Sequence, residues 1–137
     1  MFLHTLYAGR PECGAASFRD PDMVPFFLTR PGAEAAERLR VRGNVKVRLS
    51  SRMVVAVAPS PAALACLALV DGVRPLAEIW RAAATVLGED ADQVAAAAAP
   101  DLERFNAFNW VCLRHRSSPP PPSLVYGYRG DALPAAD

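Results

Sequence analysis

The sequence predicts an α+β fold in which a β-hairpin is followed by three helices and a closing strand. Three observations predict it. Two short apolar stretches, at 45–49 and 53–57, read as strands on either side of the turn residues Ser50 and Ser51. Three helix starts then follow in order, at Ser60-Pro61, at Pro75 and at Asp90 or Asp92. Beyond them Trp110-Val111-Cys112-Leu113-Arg114 returns to strand-like composition, behind Asn109 in a turn.

The first strand is the clearest. Val45, Val47 and Leu49 alternate with Lys46, Arg48 and Ser50, the period of a strand with one buried face. Its partner, Met53-Val54-Val55-Ala56-Val57, is continuously apolar and is expected to be buried. Ser60 supplies an N-cap, and Pro61 takes the first helical position, where its missing N–H costs nothing. This first helix is expected to run to about Val70 and stop at Asp71-Gly72, whose glycine tolerates φ > 0. Pro75 opens the second helix. Its apolar residues Leu76, Ile79, Trp80, Ala83, Val86 and Leu87 form one face, and Gly88 ends it. The third helix runs through the alanines, and Pro100 is expected to end or kink it before Leu102, Phe105 and Phe108.

On either side the pattern is poorer. Residues 1–43 hold four prolines (Pro11, Pro21, Pro25 and Pro31) and read as an irregular N-terminal arm. Within it, 2–7 has strand composition, Arg19-Asp20-Pro21-Asp22 is a turn, 24–28 is an aromatic patch that must pack on something, and 33–40 is a short helix. Residues 117–137 form a proline-rich tail with no capacity to build a core, although 124–128 has the composition to dock as a short extended piece. The domain is therefore placed at 44–116.

Composition bounds the function. The 137 residues net +1, so no strongly basic face announces nucleic acid. The cysteines Cys13, Cys66 and Cys112 are distant and odd in number, with no CxxC pair, which argues against a disulfide framework and a structural zinc site. The longest apolar stretch, 62–70, falls far short of the roughly 20 residues needed to span a bilayer. His4, Arg10 and Glu12 interrupt any signal-peptide core, so no membrane association is expected and the cytoplasm is the default location.

The segment Leu67-Ala68-Leu69-Val70-Asp71-Gly72-Val73-Arg74-Pro75-Leu76-Ala77-Glu78-Ile79, with 102–113 behind it, resembles a PqqD-like winged-helix domain, the precursor-peptide recognition element of peptide-modifying systems. The resemblance covers about half of the chain. It implies a small winged-helix-like domain and a non-catalytic role, binding a peptide or partner protein by strand addition to the hairpin edge. The N-terminal zone has no counterpart in a minimal domain of that kind. Its Phe2-Leu3-His4-Thr5-Leu6-Tyr7-Ala8-Gly9-Arg10 instead resembles a late strand and loop of a SAM-dependent methyltransferase, which implies an accessory or C-terminal region of such an enzyme. The chain contains no glycine-rich loop such as GxGxG, so no cofactor is expected. A DNA-binding winged helix is the third alternative.

Under the recognition reading, the edge residues are Val45, Lys46, Val47, Arg48 and Leu49, joined by Trp110 as a half-exposed aromatic contact. Lys46 and Arg48 would discourage self-pairing and favour an acidic peptide. Arg38, Arg40, Arg42, Lys46, Arg48 and Arg52 form one basic cluster, most simply a solvated face. No catalytic residue is proposed. His115 lies three residues from Cys112, and on a strand that spacing points the two side chains to opposite faces.

Overall fold

The computed structural model describes residues 15–27, 32–48 and 50–119. Across these the chain is α+β. Its elements run β1 (Met23–Phe27), α1 (Gly32–Arg42), β2 (Val45–Arg48), β3 (Val54–Val57), α2 (Pro61–Ala68), α3 (Leu76–Leu87), α4 (Ala91–Ala107) and β4 (Val111–His115). Strands β2 and β3 make an antiparallel hairpin, with Val45 opposite Val57 and Arg48 opposite Val54. The closing strand β4 does not join that hairpin. It pairs antiparallel with β1, with Met23 opposite His115 and Phe27 opposite Val111.

Over the described part of 1–43, at 15–27 and 32–43, this pairing corrects the reading of an irregular arm. Met-Val-Pro-Phe-Phe is buried at all five positions, so the strand is covered on both faces and shows no alternation to betray it. Pro25 is tolerated because each strand of a two-stranded sheet is an edge strand. The turn before β1 is as expected, with Asp20 Oδ1 accepting from the Asp22 N–H at 3.0 Å. The short helix expected at 33–40 is α1, one or two residues longer at each end, and its Ala36 and Leu39 are buried. The segments at 2–7 and 124–128 lie outside the described residues.

The core centres on α2, against which α1, α3 and α4 all pack. Small residues make this close approach feasible: Ala62, Ala63 and Cys66 are buried beside Leu67. Around them sit Phe105, Leu76, Ile79, Leu102, Val94 and, from the strands, Val24 and Val111. Caps form where the short-range signals place them. Ser60 Oγ accepts from the Ala63 N–H at 3.2 Å, and Gly88 closes α3 at φ 69. Asp90 caps α4 by accepting from the Asp92 N–H at 2.8 Å. Helix α2 stops at Ala68, two residues early, with Leu69 as its C-cap.

Three expectations fail, each for a tertiary reason. Of the two outcomes expected at Pro100, ending the helix does not occur: α4 runs through it as one helix of 17 residues. Losing a helical hydrogen bond at proline costs about 3 kcal/mol. Val94 before it, and Leu102 and Phe105 after it, are buried together, at about 1.5–3 kcal/mol for each large side chain, and this outweighs the loss. Val86 is 76% exposed although it was assigned to the apolar face of α3. At 100° per residue it lies roughly 80° from Leu76, on the margin of the stripe, and Ala84 on the other side is buried instead. Strand β3 is not a buried strand: Met53 and Val54 are 55% and 54% exposed, and only Val57 is buried. Among the described elements the hairpin packs chiefly on itself, and none of them covers its outer face.

One long-range polar contact fixes the start of α2. The buried Asp101 of α4 accepts from the Ser60 N–H through Oδ2 at 2.8 Å and from Arg104 Nη1 through Oδ1 at 3.3 Å. Replacing it strands a half-buried donor, which typically costs 1–3 kcal/mol. Asp101→Ala is therefore expected to lose about 2 kcal/mol in urea unfolding, and Asp101→Asn clearly less, since its amide oxygen still accepts. Equal midpoints for Asp101→Ala and the parent chain would show that this bridge contributes nothing.

Candidate functional site

The hairpin begins where α1 ends. Gly43 adopts φ 70, and its N–H reaches the Leu39 carbonyl at 2.8 Å, which turns the chain out of the helix and into β2. At the far end Ser50 and Met53 exchange backbone hydrogen bonds at 3.4 Å, and the Ser50 hydroxyl accepts from the Arg52 N–H at 3.3 Å. The result is a tight two-residue connection through Ser51 and Arg52. In this two-stranded sheet β2 pairs with β3 on one side only, and no strand among the described residues occupies its other edge.

Of the residues assigned to that edge, Val45, Lys46, Val47 and Arg48 form β2, and Leu49 lies outside the described residues. Lys46 is exposed and stands opposite Ala56, itself exposed. The inner positions of β3, Val55 and Val57, face the core. The outer face therefore mixes cationic and small apolar side chains.

Trp110 is not brought into this sheet. It precedes β4, whose partner is β1. Asn109 adopts φ 57, the left-handed region that asparagine tolerates better than most residues, and the Trp110 N–H donates to the Phe105 carbonyl at 2.9 Å. This fold-back lays the Trp110 indole parallel to Phe105, with ring centroids 5.7 Å apart and planes at 7°. The indole is half-buried against the core.

The basic cluster divides in two. Arg38 pairs with Glu34 at 3.0 Å and Arg40 with Glu37 at 2.8 Å, both along α1. The hydrogen bond from Arg40 holds the Glu37 carboxyl below its ordinary range. Arg42, Lys46 and Arg52 are exposed and make no ion pair among the described residues.

The Asp71-Gly72 turn is a second polar centre, and its internal chemistry was legible. Gly72 adopts φ 77, and Asp71 Oδ1 accepts from the N–H groups of Val73 and Arg74 at 2.9 and 2.8 Å. Asp71 Oδ2 meets Arg74 Nε at 2.6 Å. What no local signal announces is Arg114. From β4 it donates to the Gly72 carbonyl through Nη2 at 2.8 Å and to the Ser118 carbonyl through Nη1 at 2.6 Å, joining the turn to the start of the tail.

Partial burial tends to raise the Asp71 pKa. The hydrogen bonds from Arg74 and Val73, with the Arg74 charge, outweigh that effect and lower it below the ordinary 3.8. A depressed carboxylate stabilises the fold above its unfolded pKa, and this contribution is lost as pH falls through the folded value. The thermal midpoint of the parent chain should therefore exceed that of Asp71→Asn near pH 7, and the gap should close below about pH 4. A gap independent of pH would assign the effect to geometry rather than charge.

Cys66 and Cys112 are buried, and burial pushes the Cys66 thiol up to about 12, which disfavours the thiolate that a nucleophile needs. His115 is exposed at the end of β4, with Nδ1 2.7 Å from Ser117 Oγ. Among the described residues no three His, Cys, Asp or Glu side chains gather as a metal site, and no helix is long and apolar enough to cross a membrane. No protein-family model, curated protein or solved structure matches the chain.

Proposed function

We propose that the chain is a non-catalytic recognition module that binds an extended peptide or partner segment by strand addition to β2. The observation that carries this reading is the edge itself. An ordered hairpin, packed mainly on its own strands, leaves one side of β2 without a strand partner among the described residues. Unused main-chain N–H and C=O groups on such an edge are the usual basis of β-augmentation. The element order supports it further. Hairpin, α2, the Asp71-Gly72 turn, α3, α4 and β4 follow the order implied by the PqqD-like, winged-helix-like resemblance. Val45, Lys46, Val47 and Arg48 would then form the docking strand. The Trp110 stack on Phe105 makes that indole a core element first, and any contact it makes with a partner is secondary.

The test is a selection from a random-peptide library against the full chain, followed by measurement of every selected peptide on Lys46→Pro and Val47→Pro. Each proline removes a donor along β2, so binding should fall at least for the substitution whose N–H faces outward. Unchanged affinity of all peptides for both variants would overturn strand addition on this edge.

A second reading, an accessory or C-terminal region of a SAM-dependent methyltransferase, draws support from one observation. The zone that sets this chain apart from a minimal recognition domain contributes β1 and α1 to the same core as α2 and β4. Gel-filtration co-elution with a methyltransferase encoded beside this chain would favour that reading. Separate elution of the two proteins would count against it.

A further inference from the structure

Charge is segregated along this chain far more than its net value suggests. Between Glu37 and Asp71 the sequence carries six cations (Arg38, Arg40, Arg42, Lys46, Arg48 and Arg52) and no anion, and with a net charge of +1 overall, everything outside that stretch nets −5. Two of the six are neutralised on α1 by Glu34 and Glu37. Of the other four, Arg42, Lys46 and Arg52 are exposed, from the entry of the hairpin to its turn, without an ion pair among the described residues, and the Arg48 side chain lies outside them. Met53 and Val54 follow Arg52 as exposed apolar side chains, and on β3 the exposed Ala56 stands opposite Lys46.

We infer that the occupant of the hairpin is an acidic segment with apolar residues at alternate positions. This deepens the strand-addition reading and rests on it. An added strand continues the sheet, so every second side chain lies on the outer face beside Lys46, and a carboxylate there meets unpaired cations. The anionic remainder of the molecule turns the hairpin toward a negative partner and repels it elsewhere, which gives the encounter a direction. The side chains between the carboxylates would continue the inner row in which Val55 and Val57 face the core, a place that a nucleic-acid backbone has no apolar groups to fill.

Three labelled octapeptides test this: alternating Glu-Val, Gln-Val and Lys-Val, each also made with N-methyl groups on alternate residues to block main-chain pairing. Glu-Val should bind the full chain about ten-fold more tightly than Gln-Val at low salt, with the gap shrinking as screening grows. The double variant Lys46→Glu/Arg52→Glu should invert the order in favour of Lys-Val, and N-methylation should abolish binding of all three. Equal binding of the three peptides, lost on N-methylation, overturns the acidic preference and leaves strand addition standing. A Glu-Val preference that survives N-methylation overturns strand addition and leaves the acidic partner. Failure of all three to bind overturns both, as does a duplex DNA that displaces Glu-Val and outbinds it.

Discussion

A chain that begins at residue 44 is expected not to fold. Such a chain keeps the hairpin, α2, α3, α4 and β4, but it loses Phe18, Met23, Val24, Phe26, Phe27 and Leu39 from the core. At about 1.5–3 kcal/mol for each fully buried side chain, these six contribute of order 10 kcal/mol, even as an upper estimate. Stabilities of small domains total about 5–15 kcal/mol. Deletion also strips β4 of its only strand partner among the described residues and uncovers the face of α2 against which α1 packs. Circular dichroism should show a cooperative melt for the full chain and a shallow, non-cooperative slope for 44–137. Cooperative melting of 44–137 within a few degrees of the full chain would mean that β1 and α1 are appendages. In that event residues 44–116 would form the folding unit by themselves.

The same contrast marks what was legible in the sequence. Ser60, Asp71, Gly72 and Gly88 act through partners within four residues, so their composition and spacing were sufficient to assign them, while the cap of α4 stood open between Asp90 and Asp92 until the structure gave Asp90. β1 was obscured because its partner is nearly ninety residues away, and because Pro25 and an unbroken apolar run both hide a strand. Asp101 has no local signal to single it out, since its partner, the Ser60 N–H, is 41 residues distant. For β3 the error runs the other way. Five apolar residues in a row read as buried, but burial depends on what covers a strand, and here the outer face meets solvent. Strand β2, on which we propose docking, is visible as an alternation of valine and base. That β2 has no second strand partner among the described residues depends on the pairing of the whole sheet, and that is a property of the fold.

Gly32→Ala is expected to be the most damaging single substitution considered, and it reverses an ordinary rule. Alanine for glycine in a helix normally stabilises by about 0.4–1 kcal/mol, because the unfolded chain loses freedom. Gly32 opens α1, is buried, and presses against the C-terminal end of α2. A Cβ built there would meet the Leu67 carbonyl oxygen, lie 2.5 Å from that of Val70, and stand 3.0 Å from the Val70 Cβ. Two of these three obstacles are main-chain atoms, so no rotamer change relieves them, and α1 must back away from α2. Overpacking of this kind costs about 1–3 kcal/mol and sometimes more, and the upper end applies because backbone must move. A loss of about 3 kcal/mol corresponds to a fall in thermal midpoint of roughly 15 °C for a domain of this size. Gly43→Ala is the control. Its φ of 70 disfavours alanine by about 1–2 kcal/mol, but nothing lies within 4 Å of the added carbon. Gly43→Ala should therefore be the milder of the two, and the difference between them isolates the steric contact of α1 with α2. If Gly32→Ala melts at or above the parent temperature, that contact does not exist as described, and the case for α1 as part of the core fails with it.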